Sequence, residues 1–123
     1  MLVGPASIEG GKAVLAKAWA AGSRPTAILA MSDAMAIGAM RALRELGVSV
    51  PDDVSVVGFD DIDLAQQVDP PLTTVHQPIR RKGEEAVAVL LAIVRGRDGG
   101  KPEHRRLDTR LIVRGSTGPV RRP

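Results

Sequence analysis

Short apolar runs alternate along this chain with stretches whose apolar residues recur every three or four positions, and that alternation narrows the fold more than any other feature. Thr26 to Met31 is bounded by Pro25 and Ser32-Asp33, and Val54 to Phe59 holds three valines. Runs of this length and composition suit buried strands. Helix signals lie between them. Ser7 can cap a helix from about Ile8 to Ala21, with Glu9 in its first turn, Val14, Leu15, Ala18 and Trp19 on one face, and Gly22 as the stop. A second helix starts at Ser32 or Asp33, carries the stripe Ala36, Ile37, Met40, Leu43 and Leu46, and ends at Gly47. Pro70-Pro71 precedes another extended piece, Leu72 to Val75. Pro78 then opens a third helix whose face runs through Ile79, Gly83, Ala86, Val87, Leu90, Leu91 and Val94. Residues 1–4 read as the end of a strand, Gly96 to Pro102 as a turn-rich loop and Leu107 to Val113 as the last strand, with a frayed tail after Gly115. Strand–helix–strand order implies an α/β fold with a mainly parallel sheet and helices on its faces.

The composition limits what such a sheet can do. The chain has 123 residues, enough for one domain or part of one. With one Trp, one Phe and no Tyr, its core must be aliphatic. It has no cysteine, which removes disulfides and thiolate metal sites. No apolar run is long enough for a membrane helix and Met1 to Pro5 lacks signal-peptide features, so a cytoplasmic location is expected. The net charge is +3, but the basic residues are scattered apart from Arg80-Arg81-Lys82, Arg105-Arg106 and Arg121-Arg122. No aromatic residues lie among them for base stacking, so they read as solvated surface. His76 and His104 are far apart and fit no zinc spacing. Gly10-Gly11-Lys12 resembles the end of a phosphate loop but lacks its first glycine and its final Ser or Thr, and a close helix–sheet contact accounts for the glycines better. No nucleophile, base and orienting group assemble. No cofactor, no metal and no enzyme activity are expected.

Open parallel sheets bind ligands beyond the carboxyl ends of their strands. Two such ends carry polar residues here: Ser32-Asp33 and Asp60-Asp61. Asp33 stands where a helix cap belongs, which leaves Ser32 as the residue of that pair to face a ligand. The adjacent carboxylates of Asp60 and Asp61 could accept hydrogen bonds from ligand hydroxyls or amines, hold a metal, act as a base, or cap the turn around Ile62 to Gln66. An inward-facing carboxylate needs a partner; spacing alone does not separate the two residues.

Several segments resemble one family. Pro25-Thr26-Ala27-Ile28-Leu29-Ala30 and Ser32-Asp33-Ala34-Met35-Ala36-Ile37-Gly38-Ala39 are similar to a strand and helix of LacI/GalR-type transcriptional repressors. Pro51-Asp52-Asp53-Val54-Ser55-Val56-Val57-Gly58-Phe59-Asp60-Asp61, Pro70-Pro71-Leu72-Thr73-Thr74-Val75, Gln77-Pro78 with Gly83, and Leu111-Ile112-Val113-Arg114-Gly115-Ser116-Thr117 follow in the family's order. The Gly-Phe-Asp-Asp and Leu-Thr-Thr segments favour the repressors over the sugar-binding transport proteins that share the fold. The resemblance implies an incomplete periplasmic-binding-protein-like fold, with the N-terminal lobe and the helix-turn-helix absent. Residues 1–75 and 107–117 would form the C-terminal effector-binding lobe. Residues 76–106 would be a crossover helix and loop packing on the N-terminal lobe, with 118–123 a tail. Asp60 matches the aspartate that holds the effector, a sugar or nucleobase-like molecule, which leaves Asp61 for capping. Ser32 matches a contact that is often Asn, Ala6 a position where some members place an aromatic ring, and Ile79 a position near the ligand. Ile37 and Val68 match positions at the dimer interface, for a homodimer or a pairing with a relative. DNA would be reached only through a domain absent from this chain, and no membrane is involved. A dimerisation module without ligand binding, or part of a sugar-binding transport protein, are the alternatives. Without the second lobe, Val87, Leu90, Leu91 and Val94 would lack cover, so the third helix should refold onto the sheet, pair with another chain or stay mobile.

Overall fold

The Ser7 hydroxyl accepts a hydrogen bond from the Gly10 amide at 3.0 Å and starts α1 (Ile8–Ala20). Seven further elements follow in the computed structural model, which describes residues 1–96 and 104–120. They are β1 (Ala27–Leu29), α2 (Asp33–Glu45), β2 (Ser55–Asp60), α3 (Leu64–Gln67), β3 (Thr73–His76), α4 (Ile79–Val94) and β4 (Arg110–Ile112). Both α1 and α2 stop just before a glycine at positive φ, Gly22 (89°) and Gly47 (72°), the backbone state that closes a helix most cheaply when no Cβ is present. The loop expected from Gly96 to Pro102 lies, beyond Gly96, outside the described residues, as do Arg121 and Arg122.

The strands form one sheet in the order β1-β2-β3-β4. β1 pairs parallel with β2, Leu29 opposite Val57, and β2 pairs parallel with β3, Asp60 opposite His76. The fold is thus α/β with a parallel-dominated sheet. Residues 1–4 form no strand: Gly4 lies instead against Val14 of α1, so close that a Cβ there would meet the Val14 side chain at 2.3 Å. The chain divides into two units, Met1–His76 with the segment from Leu111 onward, and Gln77–Arg110.

The core of the first unit is aliphatic. Leu15, Ile37, Met40, Leu43, Val54, Val56 and Leu72 are buried together, with α2 between α1 and the sheet. The paired glycines of α1 do not serve the helix–sheet contact expected from sequence: Gly10 lies against the Pro5 backbone just before the helix, and Gly11 against α2. A Cβ on Gly11 would lie 2.2 Å from the Met35 carbonyl oxygen, and one on Gly38 would lie 2.0 Å from that of Ile8. The two backbones touch where no side chain intervenes.

The segment after Gly115 is anchored rather than frayed. Ser116 is fully buried and bridges β2 and β3. Its Oγ donates to the Val56 carbonyl at 2.6 Å and accepts the Thr73 amide at 2.8 Å, while its carbonyl accepts the Val56 amide. These bonds satisfy strand-end groups that would otherwise be buried without partners.

In the second unit, α4 is the third helix expected from the sequence. None of its residues is buried, and Ile79, Val87, Leu90, Leu91, Ile93 and Val94 are exposed. Arg105 pairs with Glu85, and Leu107 lines a shallow cleft of about 410 Å³ with Val89, Leu90 and Ile93.

The helix contact yields a two-sided prediction. Gly38→Ala gains at most about 1 kcal/mol of helix propensity, but forcing a methyl against backbone costs about 1–3 kcal/mol. Urea denaturation should therefore show net destabilisation. Gly83→Ala in α4, where no atom lies within 4 Å of the added Cβ, should be neutral or stabilising.

Candidate functional site

Because β1, β2 and β3 run parallel, their carboxyl ends share one edge of the sheet. The Ser32 and Asp60 turns both leave from it. Ser32 is the N-cap of α2, its Oγ accepting the Met35 amide at 3.3 Å. Asp33, expected as the cap, is the first helical residue and is completely buried. Its Oδ1 accepts the Thr74 hydroxyl at 2.6 Å and its Oδ2 accepts the Ile62 amide at 2.9 Å. One carboxylate therefore ties the start of α2 to β3 and to the turn beyond β2. Gly58 is required by that arrangement: a Cβ there would lie 2.2 Å from Asp33 Oδ1.

The turn that Asp33 holds has an unusual backbone. Asp60 has φ 121° and Asp61 φ 60°, both in the region that L side chains avoid. Strain of this kind persists only where surrounding bonds fix it, and it clusters at binding sites. Asp61 does not cap the next turn as expected, and α3 carries no side-chain cap at all. Asp61 joins an arginine and a histidine instead. Its Oδ1 accepts from Arg114 Nη2 at 2.6 Å, and its Oδ2 bonds to His76 Nδ1 at 2.9 Å. Arg114 also donates to the Leu72 carbonyl at 2.9 Å. Burial works against the charge on Asp61, but the hydrogen bonds from Arg114 and His76 and the guanidinium charge of Arg114 outweigh it and hold the carboxyl below its ordinary value. Asp60 is half-buried at the end of β2, in register with His76.

The Asp33–Ile62 bond links the turn that carries Ser32 to the turn that carries Asp60. Ala6 is exposed beside the cap of α1, whose first turns contact the first turn of α2, so it lies toward the same end. Ile79 is exposed and belongs to the other unit. Ile37 and Val68 line one cleft of about 570 Å³, with Met40, Arg44, Val50 and Pro70. Ile37 is only 1% exposed, so it forms the floor of this cleft rather than a protruding surface. Reasoning from sequence missed His76 and Arg114. The β3 register could have placed His76 beside Asp60, but no spacing signals a residue as distant in sequence as Arg114. Among the described residues no cluster of His, Asp and Glu could hold a metal, and no helix is long and apolar enough to cross a membrane.

A family model for the periplasmic binding protein-like domain matches residues 3–117. The chain belongs to this family. Its relatives within the periplasmic-binding-protein-like family are LacI-type regulators, and it corresponds to part of their effector-binding region. The HTH-type transcriptional repressor CytR of Escherichia coli is 47% identical over 93 residues, 76% of this chain and 27% of the repressor. A LacI family transcriptional regulator from Enterococcus faecium, solved with bound ribose, superposes with a TM-score of 0.84 at 34% identity, over 98% of this chain and 44% of that one. The lac repressor dimer bound to operator gives a TM-score of 0.85 at 37% identity, over 93% and 39%. The chain spans about a quarter of the length of the curated relatives it matches.

The Asp61 pairing makes a pH prediction. A carboxyl whose folded pKa is depressed stabilises the fold fully above its unfolded value, near pH 4. That contribution is lost as pH falls through the folded value. Asp61→Ala leaves Arg114, only 15% exposed, without its carboxylate, which should cost about 3 kcal/mol at pH 7. The difference from wild type, measured by urea denaturation, should shrink steadily below about pH 4.

Proposed function

We propose that this chain is the effector-binding and dimerising part of a LacI-type transcriptional regulator, taking a sugar or nucleobase-like molecule at the Asp60 turn. The observation that carries this reading is the strained, half-buried Asp60 at the carboxyl ends of parallel strands, where α/β sheets receive ligands. A carboxylate there accepts hydrogen bonds from hydroxyl or amine donors, and it is held in place by the Asp33–Ile62 bond beneath it. The relative solved with ribose supports a polyol, and Ser32 and Ala6 would flank it. Ala6 offers no ring for a sugar to stack on.

The cleft floored by Ile37 and edged by Val68 is the proposed dimer contact, since a second copy can reach Ile37 only by inserting side chains into it. The lac repressor, solved as a dimer on its operator, supports pairing. DNA contact belongs to a part of the relatives that this chain does not span, and a cytoplasmic setting follows from that role. Binding rather than catalysis is proposed, because Asp33 and Asp61 are committed to structural partners and, among the described residues, no nucleophile–base pair is formed at this turn.

Calorimetry with a panel of sugars and nucleosides tests the site. At least one ligand should bind, and Asp60→Ala should weaken it tenfold or more, on the order of one lost hydrogen bond to a charged group. Unchanged affinity in Asp60→Ala would remove Asp60 from the site. Sedimentation of the same sample as a strict monomer at micromolar concentration would remove the dimer.

A further inference from the structure

His76, the last residue of β3, helps to hold Asp61 and is itself held in one orientation. Its Nδ1 is 2.9 Å from Asp61 Oδ2, and Asp61 is itself fixed by Arg114. An ionised carboxylate only accepts, so the shared proton sits on Nδ1, and in the neutral form of the ring this fixes the tautomer. The ring nitrogen that remains, Nε2, then carries a lone pair. The ring is about a third exposed, with a side-chain accessibility of 36%, whereas Asp61 beneath it is at 13%. His76 is also the register partner of Asp60 across β2 and β3. The proposed effector carboxylate and the oriented imidazole thus stand at the same level on neighbouring strand ends. Asp60 supplies oxygen acceptors and Nε2 supplies a nitrogen acceptor.

We propose that His76 is a second effector contact, with Asp61 and Arg114 as its positioning residues. This rests on the reading of Asp60 as the effector carboxylate. Two adjacent acceptors select a ligand with two adjacent donors, and a vicinal diol such as that of a sugar ring is the matching chemistry. One hydroxyl would donate to Asp60 and its neighbour to Nε2. A ligand with a single donor, or with acceptors at both positions, would leave one of these groups facing a lone pair and would bind less well. Arg114 cannot take this contact itself, because a guanidinium only donates and the ligand hydroxyl needs an acceptor.

The chain has only two histidines, so imidazole nitrogen NMR of the whole 123-residue protein gives a small, assignable spectrum. His104, exposed in the other unit, is the internal control. D-ribose is the probe. The proposal expects Nδ1 of His76 to be protonated before and after addition. It expects Nε2 to shift saturably with ribose in step with the Phe59 and Ile62 amides, while His104 stays still. It also expects His76→Ala to weaken ribose binding about tenfold, as for one lost hydrogen bond. Movement of the Phe59 and Ile62 amides with a motionless Nε2 and unchanged affinity in His76→Ala would overturn the role of His76 and leave the binding site standing. No movement of any of these resonances with ribose would overturn the polyol reading of the Asp60 site, and the His76 contact with it.

Discussion

The buried carboxylate of Asp33 is the constraint on which the rest of the site depends. A charge with no solvent contact is costly unless its lone pairs are met. Here both oxygens are met, by the Thr74 hydroxyl and by the Ile62 amide, and the side chain stands in the first turn of α2, where the helix dipole favours it. The bonds reach three elements at once: a helix start, a neighbouring strand and the turn that carries Asp60 and Asp61. They also dictate sequence, since β2 must have glycine at position 58 to let Asp33 in. Removing either partner would leave an uncompensated polar group in the core, an asymmetry that costs more than the bond itself contributes.

A second set of bonds closes the turn from the other side. Arg114 and His76 hold Asp61, while Ser116, two residues after Arg114, stitches β2 to β3 through Val56 and Thr73. The segment after β4 thus does two jobs: it fills strand-end hydrogen bonds and supplies the cation that keeps Asp61 in place. Between Asp33 below and Arg114 beside it, the turn has little freedom, which is how two aspartates persist at positive φ. Asp60 is then presented by a rigid strand end rather than by a mobile loop.

Much of the frame was legible in the sequence. The caps at Ser7 and Ser32, the apolar stripe of α2 and the valine-rich β2 all carry local signals, and local signals survive folding when packing agrees with them. The polar wiring was not legible. Ser32 and Asp33 are both good caps, and only the neighbouring strand's Thr74 decides that Asp33 turns inward. Asp60 and Asp61 looked equivalent because the turn that separates their roles is set by contacts with Arg114 and His76, distant along the chain. The tail read as frayed because nothing local announces a serine that bonds across two strands. The glycines at 10 and 11 signal a close contact but not its partner, since a sequence pattern says that something approaches, not what.

If Asp33 organises the turn, the Ile62 amide should report it. Native-state hydrogen exchange at Ile62 in wild type, Asp33→Asn and Asp33→Ala tests this most directly. The amide should be strongly protected in wild type, partly protected in Asp33→Asn, which keeps an acceptor oxygen, and unprotected in Asp33→Ala. Core amides such as that of Val56 should remain slow in a variant that still folds. Equal protection of Ile62 in wild type and a folded Asp33→Ala would contradict the account.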